Sequence, residues 1–233
     1  AIETFLKEKP DWRTAELVKQ LARTWINDDD VKARQFIKDS LRIQKQAESF
    51  ILLGQLEEQR QNRMNAIDAY RDALELGPKL TKIRRVLAEL LIKSGDLDDA
   101  ASQLKIITTQ KPGDVGSREK LADIYRDLGR PRLALEEYLA IMRYSKASQD
   151  VLMKAARLQL YDLGKLAAAS RTLKRILQIN PKNAEARYRL GVALKDQEQI
   201  QAAKAQFERY LELAPQGEFA QEVQGELLNL NAR

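Results

Sequence analysis

The groups in this chain that are able to do acid–base chemistry come mainly as neighbouring carboxylates. Glu57 adjoins Glu58, Asp98 adjoins Asp99, and Glu136 adjoins Glu137. Neighbours on a helix point about 100° apart, so such pairs do not converge on one substrate. Asp28, Asp29 and Asp30 form a tighter acidic run that could attract a cation weakly, but it lacks the ligand spacing of a calcium loop. The 233 residues include neither Cys nor His. That removes thiolate nucleophiles, imidazole triads, disulfides and zinc sites built on either residue. No glycine-rich phosphate loop is present. The expectation is a protein that is not an enzyme and carries no metal or cofactor.

The cations are more informative. Net charge is +6, unevenly spread. Residues 150–183 hold seven Lys or Arg against Asp150 and Asp162, a local +5, whereas 184–233 hold six basic and eight acidic residues. Arg171, Lys174 and Arg175 make a basic stripe on one helix. Such a stripe suits nucleic acid, an anionic lipid surface or an acidic protein. Aromatic residues able to stack on bases are not interleaved with it, which ranks nucleic acid second among the readings. The opening "AIETFLKEKP" has no basic region followed by an apolar core, and no apolar run approaches the roughly 18 residues of a membrane span. No signal peptide or transmembrane segment is expected in this chain. A cytoplasmic and a periplasmic setting stay equally open.

Self-similarity decides the architecture. The prolines Pro78 and Pro112 are 34 residues apart, as are Pro181 and Pro215. The middle gap of 69 is two such periods with one extra residue, placed at Gln149. Cutting at this period gives five segments, 47–80, 81–114, 115–148, 150–183 and 184–217. Position 20 is then always alanine: Ala66, Ala100, Ala134, Ala169 and Ala203. Position 24 is Tyr70, Leu104, Tyr138, Leu173 or Phe207, and position 8 is Gly54, Ala88, Ala122, Arg157 or Gly191. Apolar residues recur at spacings of three and four, so each segment is two amphipathic helices. Gly95, Gly129 and Gly164 mark the turns between them, and Pro131 suits the first turn of the helix that follows.

This pattern resembles the tetratricopeptide repeat, whose motif has aromatics at 4, 11 and 24, Leu-Gly at 7–8, alanine at 20 and 27, and proline at 32. The segment 184–217 matches most closely. Arg187 replaces the aromatic at position 4 and Lys146 replaces a proline, both read as tolerable at exposed or terminal positions. Arg157 replaces the small residue at position 8, which predicts a looser helix pair in 150–183. Residues 1–46 read as a degenerate N-terminal part of a longer array, with 1–9 as the tail of a second helix closed by Pro10. Residues 218–233 read as a capping helix with Phe219, Val223 and Leu227 turned inward.

The resemblance implies an all-α, helix-turn-helix solenoid coiled into a right-handed superhelix, its first helices lining a concave groove. Groove positions then include Arg85, Glu89, Lys120, Asp123, Arg126, Lys154, Tyr161, Tyr188 and Arg189. Their mixed charge and two tyrosines suit a partner peptide or helix. The carboxylate clamp of chaperone adaptors needs asparagine at position 6. Here that position holds Leu52, Val86, Lys120, Ala155 and Arg189, so this clamp is not expected. The functional expectation is a non-catalytic scaffold in a multiprotein assembly. By family analogy, bacterial envelope biogenesis and polysaccharide export are settings for such arrays.

Overall fold

The computed structural model describes residues 14–231, and the expected helix tail at 1–9 with Pro10 lies outside them. Among the described residues there are thirteen helices and no strand. The chain divides into two compact units, Ala1–Gln110 and Lys111–Arg233. The first contains α1 (Ala15–Trp25), α2 (Asp30–Ile43), α3 (Ala47–Gln59), α4 (Arg63–Leu76), α5 (Thr81–Ser94) and α6 (Leu97–Gln110). The second contains α7 (Val115–Asp127), α8 (Pro131–Tyr144), α9 (Gln149–Arg157), α10 (Leu166–Ile179), α11 (Ala184–Lys195), α12 (Ile200–Leu213) and α13 (Ala220–Asn231).

Local chemistry sets the helix ends. Thr14, Asp29, Asp114, Ser148 and Asn183 each accept a hydrogen bond from a first-turn N–H, capping α1, α2, α7, α9 and α11. Between the paired helices of the five repeats from residue 47 onward the chain passes through one left-handed residue. It is Gly95, Gly129 or Gly164 in the middle repeats, as the sequence predicts. In the outer two, Gln61 and Glu198 take the same conformation at φ 61°. Their side chains bear a steric cost that glycine avoids.

Each first helix packs on its second helix, α3 on α4 and α11 on α12 among them. All five alanines of position 20 are fully buried at these contacts. Gly54 and Gly191 show why a small residue stands at position 8. A Cβ on Gly54 would lie 2.6–2.8 Å from the Tyr70 ring, and one on Gly191 2.5–3.0 Å from the Phe207 ring. Helix and aromatic ring are in contact with no space for a methyl group.

Two expectations change here. The extra residue of the fourth repeat is not a preceding insertion, because Gln149 is already helical behind its Ser148 cap. It is absorbed later, where α9 runs into a π turn at Leu158–Asp162 and the Leu163 N–H donates back to the Leu158 carbonyl, 3.0 Å. Ala156 is therefore the eighth residue of its helix and is buried, while Arg157 points to solvent. A small buried residue thus stands at position 8 of this repeat as well.

The arginine at position 4 is likewise built in. Arg187 donates to the Pro181 carbonyl at 3.1 Å and to Gln206 at 2.9 Å. Arg84 does the same with Pro78 (2.9 Å) and Gln103 (2.6 Å), and Arg118 with Pro112 (2.6 Å) and the Glu137 carboxylate. Each guanidinium ties the preceding proline turn to the second helix of its own repeat. The fourth repeat follows Lys146 in place of a proline, and the fourth residue of its first helix is the buried Leu152.

Candidate functional site

In the second unit, side chains of α7, α9, α11 and α13 meet across successive helices and form one continuous face. Lys154 on α9 donates to Glu119 (2.9 Å) and Asp123 (3.3 Å) on α7, and pairs with Asp150 one turn earlier (3.1 Å). Burial alone would lower the Lys154 pKa, but hydrogen bonds to Glu119, Asp150 and Asp123 outweigh it and hold the ammonium above its ordinary range. Asp123 also accepts the Tyr138 hydroxyl and lies 3.4 Å from Arg126. Lys120 and Arg126 are exposed on α7. Asp123, Arg126 and Lys154 are thus brought together in one ion-pair network with Glu119 and Asp150.

The next step of the face is aromatic. Tyr161 stands in the π turn and is 52% exposed. Its hydroxyl accepts from Arg189 at 3.0 Å, and the guanidinium lies 5.4 Å from its ring centroid. Arg189 itself is buried, pairs with Glu185 at 2.7 Å, and lies 5.6 Å from the Phe219 ring. Arg189 is therefore a support for two rings rather than an open cation.

Tyr188 departs from its expected place. It is only 6% exposed, because Phe219 stacks on it and its hydroxyl donates to Glu222 at 2.6 Å. Burial and that carboxylate push its hydroxyl pKa up. Phe219 and Leu227 are partly buried and Val223 fully buried, each turned inward as the sequence predicts. Tyr188 is consumed by this cap, which leaves Tyr161 as the exposed aromatic of the pair.

Arg85 and Glu89 are half-buried on α5 in the first unit, each with further contacts of its own. Arg171, Lys174 and Arg175 lie exposed on α10, and none forms an ion pair among the described residues. Asp29 is spent capping α2 and Asp30 pairs with Arg60 at 2.8 Å. No group of three or more candidate metal ligands occurs among the described residues, and none of their helices is long and apolar enough to cross a membrane. From the sequence, Arg187 reads as a tolerated replacement and neither Arg84 nor Arg118 stands out, so the shared role of the position-4 arginines comes from the structure. Their signal was a recurrent Arg with Gln or Glu 19 residues later.

A solenoid of paired helices, with a mixed-charge face along the first helices of its second unit, defines a class of helical repeat scaffolds. Tetratricopeptide repeat family models match residues 12–157 and 160–224. The chain belongs to the tetratricopeptide repeat family. It is similar to the human protein O-mannosyl-transferase TMTC1, 24% identical over 204 residues that cover 86% of this chain and 23% of that protein. It is also similar to the Arabidopsis thaliana CTR9 homolog, 28% identical over 45% of this chain and 10% of that protein. The chain thus spans less than a quarter of the length of these curated relatives. A solved structure of YrrB, described as a tetratricopeptide protein with an unusual peptide-binding site, superposes with TM-score 0.61 at 16% identity, over 81% of this chain and 97% of that one.

Proposed function

We propose that this chain is a non-catalytic scaffold that binds a partner peptide or helix along the first-helix face of its second unit. The observation that carries the reading is Tyr161, a half-exposed ring fixed in place by a buried arginine. A ring already held in one orientation loses little entropy on binding, which is the property of an interface anchor. The peptide-binding site named for YrrB supports the same use of the fold. Membership of a multiprotein assembly, with envelope biogenesis or polysaccharide export as settings, is part of this proposal by analogy. Affinity capture from native lysate tests it. Tyr161→Ala should keep the helical circular dichroism and lose the captured partner, whereas undiminished capture would remove this face as the site.

The unpaired Arg171, Lys174 and Arg175 favour a second reading, attachment to nucleic acid or an anionic surface through α10. Binding of that kind falls steeply with salt. Absence of binding to a labelled oligonucleotide and to anionic vesicles at about 50 mM salt, where such contacts are strongest, would dispose of it.

A further inference from the structure

Helix α13 is the last described helix of this face, and it is held to α11 and α12 largely by discrete side-chain contacts. Only Ala220, Val223 and Leu230 of its twelve residues are buried. Leu227 adds a partly buried apolar contact, and the rest of the attachment is polar or aromatic. Phe219, immediately before the helix, stacks on Tyr188 at 4.1 Å, and its N–H donates to the Tyr210 hydroxyl at 2.9 Å. Glu222 accepts from Tyr188 and Glu226 accepts from Lys195 at 2.7 Å. The helix is also weakened from within. Gly225 sits in its middle, yet an added Cβ would meet nothing within 4 Å, so no packing need explains the glycine. Leu228 on the same helix is 72% exposed.

We propose that Tyr188, Arg189, Lys195 and Tyr210 form an exchangeable docking site for an acidic amphipathic helix, with α13 as its resident occupant in cis. The partner class follows from the occupant. Phe219, Glu222 and Glu226 share one face at spacings of three and four. A competing helix therefore carries an aromatic residue with carboxylates three and seven positions later. The aromatic stacks on Tyr188, and the carboxylates meet the hydroxyl of Tyr188 and the ammonium of Lys195. A partner making the same contacts gains access in proportion to the fraction of time α13 is released. The proposal rests on the protein-binding reading of this face and names the partner for it.

The test uses the full chain and a fluorescent peptide of residues 216–231 supplied in trans, read by anisotropy. Phe219→Ala in the chain loosens α13 and should tighten peptide binding about tenfold over the unsubstituted protein. Gly225→Ala firms the helix and should weaken binding about fivefold. Adding Lys195→Ala to Phe219→Ala should abolish the gain. If Phe219→Ala loses its helical circular dichroism, Glu222→Gln with Glu226→Gln serves as the loosened chain. Peptide affinity that ignores these substitutions, or no binding to either loosened chain, overturns the exchange. If Tyr161→Ala still abolishes native capture in that case, the protein-binding reading stands without it. If native capture ignores Tyr161→Ala while the peptide follows α13, the exchange holds and the Tyr161 reading falls.

Discussion

The rings of Tyr188 and Phe219 lie 4.1 Å apart between centroids and 3° from parallel, joining α11 to the segment that leads into α13. A residue of the candidate binding face is thereby made part of the core of the second unit. Tyr188→Ala should cost about 3–5 kcal/mol, as for other large aromatic truncations. Tyr188→Phe retains the stack and should cost only about 1 kcal/mol for the bond to Glu222. Urea unfolding followed by circular dichroism separates the two, and equal midpoints would refute the stacking role.

Gln61 and Glu198 occupy the left-handed position that glycine fills in the other three repeats. Gln61→Gly and Glu198→Gly should each raise stability, by about 0.5–1 kcal/mol, because the steric relief exceeds the added chain entropy. Gly129→Ala should move the midpoint the other way. Thermal melts of the three variants give the signs directly.

Arg118 and Glu137 form a buried ion pair that also holds the Pro112 carbonyl. Arg118→Ala leaves the carboxylate buried and should destabilise by about 3–5 kcal/mol. Arg118→Met combined with Glu137→Met removes both charges and should recover most of that loss. A double variant no more stable than Arg118→Ala would show that the pair is not the source.

Glu57 is buried in the first unit, where burial alone would raise its pKa. Hydrogen bonds from Asn62, Arg34 and Asn65, with the Arg34 charge, outweigh that and hold it below its ordinary value of 4.5. A carboxyl with a depressed folded pKa stabilises above its unfolded pKa and loses that contribution as pH falls through the folded one. Stability should therefore drop below about pH 4.5, and Glu57→Gln should flatten that part of the profile. Denaturation midpoints between pH 6 and pH 3, compared for the two proteins, measure the difference.

Much of the architecture was legible from residue order alone. Ala66 and Ala203 share a column because both sit at the same point of a helix pair, and Gly95 and Gly164 announce their turns through a conformation other residues resist. The face was only partly legible. Lys154, Asp123 and Tyr161 were named as groove positions, and the structure places them on one face. The pairing of Lys154 with Glu119, 35 residues away, is a matter of which rotamers meet across two helices.

Helix, turn and repeat period were thus determined by the sequence itself, since periodicity and turn chemistry belong to consecutive residues. Tertiary structure alone decided that Tyr188 is covered, that Arg187 is a tie between segments, and that the extra residue widens α9 at Leu158–Asp162. Each depends on atoms from segments that a linear pattern does not orient. Tyr188 and Glu222 meet across 34 residues, one repeat length, and only packing brings the second helix face over the first.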